Sequence, residues 1–169
     1  SSKYDVNIIK SVFQYFIKAS KGTESQKKYF LGKELLLLTS GESVEDYKIE
    51  LEKYIIKKKP IVLALNNLVK INHKLIDYYV TCNPIKLISD LEIMKNLKKP
   101  VILPSSLLNN TYNNKKRKIK IKNFGVGLEI DKFKFFDKYV IIPKLYNVAY
   151  ALAVATSGKA SKILLAGFD

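Results

Sequence analysis

An α/β fold is expected for this chain: three layers, with a mostly parallel sheet flanked by helices and a helix appended at the N-terminus. Three features predict it. Short apolar runs of strand length recur at residues 34–38, 61–65, 78–82, 101–103, 139–142 and 162–166. Segments with helical apolar spacing lie between several of these runs. Small or polar residues follow most of the runs directly. Strands that are apolar at successive positions are buried on both faces, and parallel sheets covered by helices on each side provide that burial.

Residues 4–19 carry Val6, Ile9, Val12, Phe13, Phe16 and Ile17, which is a helical spacing with one apolar face. Residues 20–28 are polar and include Gly22, so a linker is expected there. This divides the chain into an N-terminal helix and linker (1–30) and an α/β domain (31–169). Residues 43–59 read as one helix, with Ser43 as N-cap, Asp46 three positions on, and Lys57, Lys58 and Lys59 at its end. Pro60 stops it. Asn83 and Pro84 open a second helix over residues 85–97, which Pro100 ends. Residues 109–122 are polar and basic, with Lys115, Lys116, Arg117 and Lys118 in a row, and read as a loop. Ile119 and Ile121 alternate with lysines, as an exposed edge strand does. Gly125 and Gly127 mark a turn. An alanine-rich helix over residues 147–157 precedes the last strand.

The length of 169 residues suits one domain with its own core. Hydrophobic residues at 47% and charged residues at 27% argue against disorder. No apolar run approaches the roughly 20 residues that span a bilayer, and no cleavable signal pattern opens the chain. A soluble, cytoplasmic protein is expected. The single cysteine fits a reducing compartment. The formal charge of +15 is mostly lysine spread along the chain. A solvated lysine surface accommodates that charge, and so does an anionic partner such as a nucleotide, nucleic acid or phospholipid. The basic loop lacks interleaved aromatics, which disfavours a stacking platform for single-stranded nucleic acid. Contact of that loop with an anionic membrane surface stays open.

In open parallel sheets, ligands bind beyond the carboxyl ends of the strands. The residues at those ends are Thr39 to Ser43, Asn66 and Asn67, Asn83 and Pro84, Ser105 and Ser106, and Gly167 to Asp169. Hydroxyls, amides and glycines are the groups that read ribose, base and phosphate by hydrogen bonds. They are equally the groups of turns and caps. Glu42, Glu45 and Asp46 crowd the start of the helix and oppose an anion there, so a ribose or base contact is favoured over phosphate. Other motifs fail on context. Residues 157–161 resemble the end of a phosphate loop but stand between helix and strand, in the wrong order. Gly125-Val126-Gly127 is an incomplete dinucleotide fingerprint. His73 is the only histidine, so a histidine metal cluster is excluded and a structural or solvated role is expected. Cys82 reads as a core thiol.

Taken together, Leu37-Leu38-x-x-Gly41-x-Ser43, Asn66, Asn83-Pro84 and the ending Lys162-Ile-Leu-Leu-Ala-Gly-Phe-Asp169 after an alanine-rich helix resemble one superfamily. It is the Rossmann-like group of Campylobacter-type sialyltransferases and archaeal 6-hydroxymethylpterin pyrophosphokinase-like domains. Similar domains follow aldolase-like domains in surface-polysaccharide biosynthesis proteins. The resemblance covers roughly residues 32–169. It implies a pocket for a cytidine nucleotide or nucleotide-sugar, lined by Gly41, Ser43, Asn66, Asn83, Asn147, Gly167 and Asp169. It also implies a transferase or an aldolase-associated module, with an aldolase-like domain or a second copy as partner. Glu42 stands where that group usually has proline, and Asn147-Val148 where it has Ser-Gly; both departures weigh against phosphate contact. The sialyltransferase catalytic histidine falls beyond the equivalent of Asp169, so the resemblance supplies no catalytic residue. An accessory or oligomerisation module that has kept the fold and lost the chemistry is the alternative.

Overall fold

Residues 21–65, 70–83, 93, 96, 98–105 and 119–169 are described by the structure, a computed structural model. In chain order the elements are α1 (Lys27–Phe30), β1 (Glu34–Leu38), α2 (Glu42–Asp46), α3 (Lys48–Lys58), β2 (Ile61–Leu65), β3 (Tyr78–Val80), β4 (Val101–Leu103) and β5 (Ile121–Asn123). There follow β6 (Gly125–Leu128), β7 (Lys134–Phe135), β8 (Tyr139–Ile142), α4 (Asn147–Ser157) and β9 (Lys162–Ala166). The main sheet has the order β5-β4-β3-β2-β1-β9, and every neighbouring pair in it is parallel. A smaller sheet has the order β6-β8-β7, with β7 antiparallel to β8. The N-terminal helix expected over residues 4–19 and most of the helix expected over 85–97 lie outside the described residues, as do residues 109–118 of the basic loop.

Alternation along the strands builds two cores. Leu35, Leu37, Leu63, Leu65, Val80 and Ile102 point to one face, where α4 and the small sheet cover them. Leu36, Leu38, Val62, Ala64, Tyr79, Val101 and Leu103 point to the other, where Val44 and Ile55 of α2 and α3 pack. This is the three-layer Rossmann-like α/β arrangement. Its two covering layers follow from topology. The chain moves from β1 through β2 to β5 in one direction and returns to β9 on the far side of β1. Right-handed crossovers in opposite directions must run over opposite faces. Tyr150 of α4 fixes the returning layer: its buried hydroxyl donates to the Phe124 carbonyl at 2.5 Å, between β5 and β6.

Several local expectations are corrected. The helix over residues 43–59 is two helices that meet at Tyr47 (φ −106, ψ 27), and the first starts at Glu42, with Gly41 rather than Ser43 in the cap position. Ser43 is lost as a cap because its hydroxyl is held by Asp169. The stop at Pro60 stands: Lys59, disfavoured in the α region before a proline, leaves the helix in the left-handed region (φ 53). Gly125 and Gly127 do not form a turn but lie in the buried strand β6. Another glycine lies close against this strand: Gly22 and Gly125 both donate to the Lys138 carbonyl, and a Cβ on Gly22 would come within 2.6 Å of the Gly125 nitrogen. Residues 139–142 form a strand, but in the small sheet instead of the main one. Ile121 does lie in an edge strand, β5, yet Ile119 is buried rather than exposed. Residues 21–30 are bound to the domain. Thr23 and Glu24 donate backbone hydrogen bonds to Asn123, and Lys122 reaches the Tyr29 hydroxyl at 2.6 Å and Glu24 at 3.4 Å.

Leu63 lies in a central strand and is fully buried. Leu63→Ala is expected to cost about 2–5 kcal/mol of unfolding free energy. Urea denaturation of the two proteins measures it, and a loss below about 1 kcal/mol would contradict the two-sided burial described here.

Candidate functional site

Because the main strands all run the same way, their carboxyl ends share one edge. On that edge, β1 is the switch point: the chain leaves it toward β2, and β9 returns on its other side. Crevices at such points are where ligands sit in open α/β sheets. The turns after β1 and β9 are pressed together there. Thr39 donates its backbone N–H to the Ala166 carbonyl at 3.0 Å, and Gly41 to that of Gly167 at 3.2 Å. A Cβ on Gly41 would lie 2.4 Å from the Gly167 carbonyl oxygen, so only glycine allows this approach. Gly167 has φ +77, and a Cβ there would strike Val44.

Asp169 closes the junction. Its carboxylate accepts from the Ser43 backbone N–H at 2.9 Å and from the Ser43 hydroxyl. These bonds, the hydroxyl's first, hold the Asp169 carboxyl below its ordinary pKa. The anion beside the start of α2 is therefore the chain's own side chain. Glu42 and Glu45, expected to oppose an anion in that turn, are outweighed here by the two Ser43 donors.

Of the seven residues expected to line a pocket, Gly41, Ser43, Gly167 and Asp169 meet here. Asn147 and Asn83 belong to a second group, beyond the end of β3. Asn147, at the start of α4, accepts from the Cys82 backbone N–H at 2.9 Å and from the thiol at 3.2 Å. Asn83 follows directly, its N–H donating to the Thr81 hydroxyl at 3.3 Å. The end of β2 lies between the two groups in the sheet order. Asn66, expected there, lies outside the described residues, as do Asn67, Pro84 and Ser106.

A groove of about 640 Å³ runs from Asp169 between α3 and β9. Tyr47, Glu50, Leu51, Tyr54, Leu165 and Phe168 line it together with Ser43 and Asp169. Among the described residues neither lysine nor arginine does, in a chain of net charge +15. Tyr54 is oriented by its hydroxyl, which donates to Glu34 at 2.6 Å; that bond raises the phenol and lowers the carboxyl. Tyr47, Leu51 and Tyr54 were not among the residues expected. Their signal was present: Tyr47, Leu51 and Tyr54 follow i, i+4, i+7 spacing, which places them on one helical face.

Other candidates fall away from this edge. His73 sits on the turn that feeds the amino end of β3, its Nδ1 2.5 Å from the Tyr79 hydroxyl. Residues 157–161 lead into the amino end of β9. Among the described residues no three histidine, cysteine, aspartate or glutamate side chains gather where they would hold a metal ion. Among the same residues no helix is long and apolar enough to cross a membrane. Comparison of the chain with protein-family models, curated proteins and solved structures finds no match in any of the three.

Two outcomes test this geometry. Removing the Ser43 hydroxyl (Ser43→Ala) is expected to raise the Asp169 carboxyl toward its ordinary value, read from its side-chain carbon shift in a pH titration by NMR. A carboxyl depressed by folding stabilises above its unfolded pKa and loses that contribution as pH falls through the folded one. The wild type should therefore lose this contribution at a lower pH than the variant does. An unmoved titration would mean that Ser43 does not hold Asp169. The Cys82 thiol, buried against Asn147, is pushed up to about 12. A disulfide reagent at neutral pH is expected to leave it unmodified in the native protein and to modify it fully in denaturant; prompt native labelling would contradict its burial.

Proposed function

We propose that this is a nucleotide or nucleotide-sugar binding domain whose ligand lies at the carboxyl edge of the main sheet, with its ribose at Asp169. The observation that carries this reading is the junction of Gly41, Ser43, Gly167 and Asp169 at the switch point, opening into a groove with no lysine or arginine among its described lining residues. A fixed carboxylate accepts hydrogen bonds from a sugar diol, as acidic residues do in dinucleotide-binding sheets. Tyr47, Tyr54 and Phe168 offer ring faces to a planar base. The lack of lysine and arginine among the described lining residues argues that the phosphates of such a ligand point away from the groove. With the resemblance to sialyltransferases and aldolase-associated domains, this supports a place in surface-glycan biosynthesis, with a cytidine nucleotide as the first ligand to try. If the parent protein transfers a glycosyl group, positioning and electrostatics at this edge supply the catalysis.

A second reading has its own observation. Ser43 and Asp169 satisfy each other, as in a junction that serves packing alone. On this reading the domain is an accessory or oligomerisation module beside an aldolase-like partner.

Isothermal titration with cytidine, its mono- and diphosphates and a cytidine-monophosphate sugar separates the two. The binding reading expects measurable heat and a weakening of roughly tenfold for Asp169→Asn, the scale of one hydrogen bond to a charged group. No heat with any of these ligands, from a folded protein, would leave the accessory reading standing.

A further inference from the structure

A different face carries an independent observation. The small sheet ends in the two-residue edge strand β7, and the chain around it, Lys132-Phe133-Lys134-Phe135-Phe136, interleaves rings with lysines. Phe133 and Phe135 are each 45% exposed with ring centroids 5.1 Å apart. Phe133 also borders an open hollow of about 390 Å³ beside Tyr146, Val148 and Leu152 at the start of α4. Tyr146 is 59% exposed, and Ile130, in the turn before β7, is 82% exposed. Contiguous exposed apolar surface of this kind marks an interaction site, whereas single exposed apolar residues do not.

Charge identifies the occupant. Residues 129–148 hold Lys132, Lys134, Lys138 and Lys144, all exposed. Their three acids are Glu129, Asp131 and Asp137. Glu129 is paired with Lys132, and Asp137 is engaged by Lys27 at 3.1 Å and by the Ser25 hydroxyl. With Lys132 held by Glu129 and Asp137 by Lys27, Lys134, Lys138 and Lys144 outnumber the remaining acid, Asp131, so the patch presents rings and an isoleucine beside a modest local excess of positive charge. Aromatic side chains settle at the headgroup level of a bilayer, and each lysine near an anionic surface contributes about 1 kcal/mol. We propose that this face docks on the surface of an anionic lipid bilayer, with Ile130, Phe133 and Phe135 entering the headgroup boundary and the lysines facing lipid phosphates. The contact is peripheral.

Vesicle flotation tests this with the full chain. Vesicles of phosphatidylcholine alone are compared with vesicles that also contain phosphatidylglycerol, at about 0.1 M and about 1 M salt, which shortens screening from about 10 Å to about 3 Å. The protein is expected to float with the anionic vesicles at low salt only. Phe133→Ser with Phe135→Ser should lower partitioning by at least about tenfold, because apolar surface and charge act together. Ile130→Ser, at an exposed turn, should weaken it several-fold and serves if the double variant does not keep the wild-type circular dichroism. Failure to float with anionic vesicles would overturn the proposal. So would flotation that neither variant changes, which would assign binding to charge elsewhere or to residues 1–20. A wild-type dimer in light scattering that the double variant converts to monomer would instead give this face to a second copy.

Discussion

Leu35, Leu36, Leu37 and Leu38 give β1 apolar side chains on both faces, so the strand is stable only with neighbours on both edges and cover on both sides. Parallel pairing with β2 and β9 meets that demand, and most other features follow from it. The chain must cross one face to reach β2 and the other to reach β9. The turns after β1 and β9 then emerge side by side, close enough that glycine is required at residues 41 and 167. The candidate site is thus a by-product of how a doubly buried strand is paired.

Much of this was legible in the sequence because the signals were local. Runs such as Leu35–Leu38 and Val62–Leu65 mark two-faced strands without any knowledge of their partners. Pro60 and the three lysines before it mark a helix end by chemistry confined to one turn. What was not legible depended on residues distant in sequence. Gly125 and Gly127 look like a turn until Gly22, more than a hundred positions away, is seen pressed against the strand they occupy. Ser43 looks like a helix cap until Asp169 is seen taking its hydroxyl. Residues 139–142 carry every mark of a main-sheet strand, and nothing in their composition records that they pair with β6 and β7. The residues expected at the site fall into two groups. Ser43 and Asp169 form one cluster, whereas Asn83 and Asn147 gather around Cys82 beyond a different strand.

The Ser43–Asp169 contact also decides which ligand chemistry the edge can tolerate. A carboxylate that already holds the N–H and hydroxyl of Ser43 has neutralised the donors a phosphate would use. It keeps acceptor capacity for hydroxyl groups, since each carboxylate oxygen has two lone-pair sites. For the proposed ligand, discrimination at this end of the sheet would rest on hydroxyls and ring faces. Net charge, so large over the whole chain, is locally reversed by Asp169 and Glu50.

Residues 22–24 have a mechanical consequence. Gly22 donates to Lys138, just before β8 of the small sheet, while Thr23 and Glu24 donate to Asn123, at the end of β5 of the main one. Tension applied to the backbone ahead of Lys21 is shared between two sheets rather than peeling one strand. A hinge between the sheets would have to break this clamp first.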